Sequence, residues 1–144
     1  IMPIRKANAE WKGNLVQGTG TISTESGVLK NIAYKFVSRF EQGNETNPEE
    51  LIGAAQSACF SMAFANNLVK AGFTVNSIKT DAKVYIEKLE AGFTITKIEL
   101  DTIGDVPELD EKKFLEFAEQ TKTTCPVSRA ITGPTLILKA SLKK

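Results

Sequence analysis

The chain has 144 residues, of which 42% are hydrophobic and 24% charged, as expected for one globular domain spanning residues 1–144. Its 18 basic and 17 acidic side chains leave a formal net charge of +1, without the basic excess typical of nucleic-acid-binding proteins. Two cysteines and no histidine exclude cysteine–histidine nucleophile pairs, histidine-ligated metals and four-thiolate zinc or iron–sulfur centres.

The sequence shows no targeting or membrane signal. Residues 1–10 hold no apolar run, so we expect no signal peptide. No stretch of about 18 residues is uniformly apolar, so we expect no transmembrane helix. Low cysteine use without a targeting signal fits a reducing cytoplasm, where thiols stay free or form transient functional disulfides.

The first third of the chain is predicted to form strands. "KANAEW" alternates in polarity, and "GTGTISTESGVL" is a strand-and-turn stretch rich in threonine, serine and glycine. "IAYKFVSRF" alternates more regularly and places Arg39 near the end of a strand. The polar segment "EQGNETNP" then predicts a loop.

Residues 48 to about 71 are predicted to form a long helix, with Asn47 as its cap and Pro48 as its first residue. Its apolar positions cover nearly all faces, which indicates a central, buried helix. Gly72 is a plausible C-terminal stop. The many alanines, with Gly53, would allow close helix approach within the chain or across a dimer.

The remainder predicts a hairpin, two helices and a final strand. "SIKTDAKVYIEKL" and "FTITKIELDTI" alternate at period two around "EAG". Residues 110–121 form an amphipathic pattern with Phe114, Leu115 and Phe117 facing inward. "TCPVSRAI" predicts a short helical turn, and "PTLILKASL" predicts a strand. The order of elements lacks βαβ regularity and therefore predicts an α+β fold.

The two cysteines are the candidate reactive groups. If Pro126 opens a helix, Cys125 is its N-cap, where backbone N–H groups favour the thiolate; otherwise Cys125 is a small buried side chain. Cys59 lies in an apolar helix, where cysteines are usually inert, and its reactivity would require a positive partner. The arginines available for that role are Arg5, Arg39 and Arg129. Arg39 is the best placed of them, just before the loop into the helix.

Glu49 and Glu50 lie in the first turn of the predicted helix, where carboxylates complement the helix dipole without any catalytic function. Ten residues of straight helix separate Glu49 from Cys59 by about 15 Å along the axis. The two residues could act together only if the helix breaks near Gly53, or if a second chain completes the site.

Four segments together resemble a known family: "TNPEELIGAAQSACFSMA", "CPVS", "EWKG" and "TESGVL". The chain resembles the OsmC branch of the OsmC/Ohr peroxiredoxin-like family essentially from end to end, including the spacing of its cysteines. The resemblance implies an OsmC/Ohr-like fold with antiparallel sheets around a long central buried helix. It also implies an intertwined homodimer with active sites at the subunit interface.

The resemblance further implies thiol-dependent reduction of organic hydroperoxides and hydrogen peroxide, in response to oxidative or osmotic stress. Cys59 matches the peroxidatic cysteine and Cys125 the resolving cysteine, which together form an intramolecular disulfide. Glu49 matches the catalytic glutamate, and Arg39 the activating arginine, with Arg5 as the next candidate. No cofactor is implied; the expected partner is an external reductant, either a small dithiol or a lipoyl group.

Other interpretations stay open at this point. Phe60, Met62 and Phe64 are expected to form an apolar wall beside the thiol that suits alkyl or lipid peroxides. Alternatively, the protein is a non-catalytic dimeric module that binds apolar ligands or stress partners, and both cysteines only pack. A thioredoxin-type oxidoreductase is disfavoured because the sequence lacks a C-x-x-C motif and βαβ order.

Overall fold

The computed structural model describes residues 1–144, which form two compact units, Ile1–Leu51 and Ile52–Lys144. Each unit contains one three-stranded sheet. None of the helices combines the length and apolarity that crossing a bilayer requires.

The first unit contains an antiparallel sheet in the order β1-β2-β3. Its strands are β1 (Ala7–Lys12), β2 (Thr19–Thr24) and β3 (Ile32–Tyr34). The rings of Trp11 and Tyr34 lie 5.3 Å apart on this sheet. Gly20 lies beneath them, and a Cβ there would stand 2.3 Å from the Tyr34 ring. Glycine at this position therefore lets two aromatic side chains pack against the sheet.

The strand predicted for residues 32–40 is wrong in its second half, because Phe36–Phe40 forms the short helix α1. The Ser38 hydroxyl accepts the Lys35 backbone N–H at 3.0 Å and donates to the Lys35 carbonyl at 2.8 Å. Such local side-chain bonds compete with strand pairing. The rings of Phe36 and Phe40 also pack at a tilt, with their centroids 4.9 Å apart, as residues four apart do on one helix face. Arg39 therefore lies in a helix rather than at a strand end.

The long helix α2 spans Pro48–Lys70 and confirms both predicted ends. The Asn47 side chain accepts the Glu50 backbone N–H at 2.8 Å, as an N-cap does. At the other end, Gly72 has φ +94°. The backbone N–H of Phe73 bonds to the Leu68 carbonyl at 3.1 Å, which is the Schellman arrangement that terminates many helices.

The second unit contains the sheet β4-β5-β6. Its strands are β4 (Ser77–Leu89), β5 (Gly92–Asp105) and β6 (Thr135–Leu142). The predicted β4–β5 hairpin is confirmed, with Leu89 opposite Gly92. However, β6 runs parallel to β5, so this sheet is mixed rather than wholly antiparallel.

Two helices make the crossover that parallel pairing requires. They are α3 (Glu111–Thr124) and α4 (Pro126–Ala130). The inward face predicted for α3 is right for Phe114 and Phe117 and wrong for Leu115. Phe114 is fully buried and Phe117 packs edge-on against Phe73 at 6.0 Å, but Leu115 is 44% exposed.

The core of the second unit forms where α2 meets the sheet. Phe60, Phe64 and Leu68 are fully buried, together with Ile98 and Leu100 of β5. Polar bonds fix α2 in the same place, since its side chains bond to β4, α3 and α4. α2 therefore carries the core of this unit along one of its faces.

The opposite face of α2 is not buried as predicted. Ala54, Ala55 and Ala58 are exposed, and Met62 is 74% exposed. Small and apolar side chains that recur every three or four residues form one continuous stripe on a helix. We call these four residues the α2 stripe. In the single chain the helix is therefore half-buried, with the α2 stripe uncovered.

Candidate active site

The two cysteines meet although 66 residues separate them in the sequence. The Cys59 sulfur lies 3.0 Å from the Cys125 sulfur, and both thiols are free. Cys59 is on α2, and Cys125 joins the end of α3 to the start of α4. This contact places each sulfur within reach of direct attack by the other.

Cys125 is the N-cap of α4, with Pro126 as the first helical residue, as predicted. The thiol is fully buried, and the Ser128 backbone N–H donates to its sulfur at 3.5 Å. Burial by itself raises the pKa of Cys125. Hydrogen bonds from the Ser128 hydroxyl, from Cys59 and from the Ser128 backbone outweigh it, so the pKa lies below that of an ordinary cysteine.

The surroundings of Cys59 have the opposite effect and raise the pKa of its thiol. Burial is the main cause that raises the pKa of its thiol, and the hydrogen bond with Cys125 adds to it. The Cys59 thiol is only partly buried, and it opens onto a hollow of about 400 Å³. The lining residues of this hollow are Cys59, Met62, Ala63, Asn66 and Pro126. Reagents can therefore reach Cys59, but the chain around it favours the neutral thiol.

The apolar wall predicted beside Cys59 is present only in part. Met62 lines the hollow, whereas Phe60 and Phe64 are fully buried in the core. Their rings pack against each other, and the Phe64 ring packs at a tilt against the Phe114 ring, with the centroids 4.7 Å apart. The helical period places Cys59 on a different face from these two aromatic residues.

Arg39 and Glu49 form a second pair, within the first unit. The guanidinium Nε of Arg39 donates to a Glu49 carboxylate oxygen at 2.9 Å. The Glu49 side chain is only 7% exposed, whereas that of Arg39 is 39% exposed. Arg5, the other candidate arginine, is exposed and bonds to the Ile4 carbonyl. The structure therefore brings Glu49 to Arg39 rather than to Arg5.

One oxygen of this pair has no partner. Glu49 Oε2 is buried and accepts no hydrogen bond, which is costly for a carboxylate oxygen. The segment around the pair is held by Asn47, whose amide donates to the Ser38 carbonyl at 3.0 Å. This pair is suited to bind a ligand that donates a hydrogen bond to the free oxygen of Glu49 and accepts hydrogen bonds from the guanidinium of Arg39.

The helix that carries both Glu49 and Cys59 does not break. α2 is continuous from Pro48 to Lys70, so ten residues of helix separate the two side chains by about 15 Å along the axis. Gly53 is not a break point. A Cβ there would touch the Val84 side chain at 3.4 Å, so glycine at position 53 allows α2 to lie close to β4.

Sequence reasoning missed an aromatic pocket beside Arg39. It encloses about 240 Å³ and is lined by Trp11, Leu15, Tyr34, Lys35, Phe36, Arg39 and Phe40. The guanidinium carbon of Arg39 lies 5.0 Å from the centre of the Phe40 ring, within the range of a cation–π contact. The available signal was the grouping of Tyr34, Phe36 and Phe40 within seven positions.

Sequence reasoning also missed a buried amide behind the cysteines. Gln56 is 1% exposed, and its Nε2 donates to the Ser128 hydroxyl oxygen at 2.6 Å. The same Ser128 contacts the Cys125 sulfur. A glutamine inside an otherwise apolar helical stretch was the available signal, because buried polar side chains need specific partners.

A family model described as "OsmC-like protein" matches residues 41–139. The chain belongs to the OsmC-like protein family. It is 50% identical to Peroxiredoxin OsmC of Escherichia coli K12 over 127 residues. The aligned stretch covers 88% of this chain and 89% of that protein.

Solved structures agree with this membership. The crystal structure of the organic hydroperoxide resistance protein OhrB of Bacillus subtilis is 26% identical, with a TM-score of 0.67 over 96% of the OsmC-like chain and 98% of OhrB. An OsmC-like protein of unknown function from Vibrio cholerae gives a TM-score of 0.74 at 17% identity, over 96% and 99% of the two chains. The latter supports the fold alone. The predicted OsmC/Ohr-like α+β fold is confirmed.

Proposed function

We propose that this OsmC-like chain is a cysteine-based peroxidase that reduces organic hydroperoxides and hydrogen peroxide. The direct contact of two free thiols, 3.0 Å apart, is the observation that carries the proposal. The name of the E. coli relative, Peroxiredoxin OsmC, supports it. In this proposal Cys59, which faces an open hollow, is the peroxidatic cysteine, and the buried Cys125 is the resolving cysteine.

The proposed cycle has three steps. The Cys59 thiolate attacks the distal peroxide oxygen, the O–O bond breaks, and the leaving oxygen takes a proton to become an alcohol or water. Cys59 is then a sulfenic acid. The Cys125 thiolate attacks its sulfur, the S–O bond breaks, and hydroxide leaves with a proton as water. An external dithiol or lipoyl-type reductant then exchanges with the disulfide, restores both thiols and is itself oxidised.

The raised pKa of Cys59 means that its activation requires a positive charge, and we assign this role to Arg39. Glu49 would orient the guanidinium through the 2.9 Å bond and offer its unpartnered oxygen to the peroxide O–H. Since α2 separates Glu49 from Cys59 within one chain, we propose that a second copy completes each site. The exposed α2 stripe, which adjoins Cys59 along the helix, supports such a homodimer.

The surroundings of both pairs favour organic substrates. The pocket beside Arg39 is largely aromatic, and Met62 lines the hollow at Cys59. Both would hold an alkyl or aryl group. A reducing compartment such as the cytoplasm would keep both thiols free, and the stress response inferred for the family gives the setting. We further propose that residues 1–144 act as one OsmC-like domain, because the match to the E. coli relative covers 88% of the chain and the family match, residues 41–139, includes part of each unit.

The test is consumption of cumene hydroperoxide in the presence of a dithiol. Cys59→Ser should abolish catalysis, because serine cannot form a sulfenic acid. Ser57→Ala is the matched control, since that hydroxyl on the same helix bonds only to carbonyls of its own turn. Equal rates in wild type and Cys59→Ser would refute the peroxidase and leave a non-catalytic binding module in its place.

A further inference from the structure

We propose that Gln56 and Ser128 form a hydrogen-bond relay that holds Cys125 as a thiolate aimed at Cys59. Both would be positioning residues for disulfide formation, acting through Cys125 rather than touching the peroxide. This inference rests on the proposed peroxidase cycle and names residues that govern its second step.

The relay begins at Gln56, which is 1% exposed. Gln56 precedes Cys59 by one helical turn on α2. A buried amide is unfavourable unless it is hydrogen-bonded, and its bond to Ser128 is short, at 2.6 Å from Nε2 to Oγ. Its other side-chain atom, Oε1, is buried without a partner. Gln56 is therefore held by a single polar contact, and that contact leads to the cysteine pair.

Ser128 passes this contact on. A serine hydroxyl has one proton to donate and two lone pairs. Because Gln56 Nε2 donates to one lone pair of the Ser128 hydroxyl oxygen, the hydroxyl proton is available for a hydrogen bond to the Cys125 sulfur. The Ser128 backbone N–H also donates to the same sulfur, at 3.5 Å. Burial opposes ionisation of Cys125. The hydrogen bond of the Ser128 hydroxyl is the largest of the causes that lower the pKa of this thiol, followed by the hydrogen bond with Cys59 and that of the Ser128 backbone.

No charged side chain accounts for the acidity of Cys125. The titratable group that faces it is Cys59, from α2. On α3, Lys122 is paired with Glu119 at 3.2 Å, and on α4 Arg129 is exposed. None of these cations contributes to the lowered pKa of Cys125. The thiolate is therefore stabilised by neutral donors, of which Ser128 is the central one.

The relay decides what becomes of an oxidised Cys59. When Cys59 carries a sulfenic acid, the Cys125 thiolate forms the S–S bond and hydroxide leaves with a proton as water. If Cys125 is protonated instead, the sulfenic acid survives long enough to meet a second hydroperoxide. That reaction transfers one more oxygen to sulfur, releases an alcohol and leaves sulfinic acid, which is not readily reversed. The relay would therefore protect Cys59 from over-oxidation.

The first experiment measures alkylation of Cys125 by iodoacetamide against pH, in a Cys59→Ser background. Ser128→Ala and Gln56→Met should each move the midpoint upward and make alkylation about tenfold slower below the midpoint. Ser128→Thr, which keeps the hydroxyl, should have the same midpoint as the Cys59→Ser protein itself. Ser57→Ala is the control on the same helix.

Two outcomes would overturn the relay. Unchanged midpoints in Ser128→Ala and Gln56→Met would show that Ser128 does not stabilise the thiolate. A lower midpoint in Gln56→Met would show that the amide accepts the serine proton and so withdraws it from Cys125. Circular dichroism verifies folding, and because the two substitutions are independent, loss of one variant leaves the other as the test.

The second experiment restores Cys59 and follows pulses of cumene hydroperoxide by mass spectrometry. Ser128→Ala should raise the ratio of Cys59 sulfinic acid to Cys59–Cys125 disulfide about tenfold, in step with the lost thiolate. An unchanged ratio contradicts the relay. The alkylation assay involves no peroxide, so it reports on Ser128 and Gln56 even if Cys59→Ser leaves peroxide consumption intact and the peroxidase proposal fails.

Discussion

The ion pair between Arg39 and Glu49 can be probed by Glu49→Gln, which removes the charge and keeps nearly the same shape. The Glu49 side chain is 7% exposed and accepts the guanidinium N–H at 2.9 Å. A hydrogen bond to a charged group contributes about 1.5–3 kcal/mol. Arg39 is 39% exposed and regains hydration when the charge is lost, which lowers the expected cost to about 1–2 kcal/mol.

The measurement is urea unfolding at a fixed protein concentration, because an oligomer's midpoint depends on concentration. The midpoint should fall while the slope stays constant, and the melting temperature should drop by roughly 2–4 °C per kcal/mol. Peroxide turnover should fall as well, since an unoriented guanidinium no longer activates Cys59.

Glu50→Gln is the matched control. It lies in the same first turn of α2, so both substitutions lose a similar helix-dipole interaction, about 0.3–1 kcal/mol. Glu50 is exposed, and its side chain accepts only from the Thr46 hydroxyl at 2.6 Å. If the two variants unfold at the same urea concentration, the buried pair adds nothing to stability and the reasoning is refuted.

Three further outcomes are expected. Cys125→Ser should allow one turnover without an intramolecular disulfide, so mass spectrometry should find sulfenic or over-oxidised Cys59. Arg39→Ala should raise the pKa of Cys59 further, so its alkylation near neutral pH, measured in the Cys125→Ser background, should be about tenfold slower. Gly104→Ala should destabilise the fold by about 1–3 kcal/mol in urea unfolding, because its Cβ would lie 2.4 Å from the buried Phe114 ring.

Each of these outcomes has its own control. Cys125→Ala should give the same products as the serine variant. Arg5→Ala should leave the alkylation profile of Cys59 in place, and a shift equal to that of Arg39→Ala would reassign the activating arginine. Gly133→Ala should be close to neutral, because nothing lies within 4 Å of a Cβ there; a loss equal to that of Gly104→Ala would mean that the Phe114 contact is not the cause.

The ends of α2 were predictable because their signals are local. Asn47, Pro48 and Gly72 act through neighbouring backbone groups, and the structure shows the expected cap and Schellman bonds. The Cys125 cap was predictable for the same reason, since Pro126 directly follows it. In each case the residues that decide the conformation lie within one turn of it.

The segment "IAYKFVSRF" was mispredicted for an equally local reason. Its alternation suited a strand, but the Ser38 hydroxyl bonds to both backbone groups of Lys35. Serine in a strand pattern is usually an exposed polar residue, so the pattern gave no sign of this role. Leu115 was mispredicted because only one side of α3 is covered, and a helical pattern does not show how wide the covered face is.

The candidate site depends on contacts that no local signal encodes. Cys59 and Cys125 were paired through family resemblance rather than spacing, because the direction of β6 and the crossover through α3 and α4 decide where Cys125 lies. The bond from Gln56 to Ser128 spans 72 residues. Such partners are fixed by packing, which a single sequence does not reveal.

The distance between the cysteines along the chain has a consequence during protein synthesis. Cys125 follows Cys59 by 66 residues, so at roughly 5–20 residues per second the ribosome adds it about 3–13 s later. Throughout that interval the nascent chain holds a peroxidatic candidate without its resolving thiol. If Cys59 were oxidised within that interval, the thiol that reduced it would therefore have to be supplied by the cell.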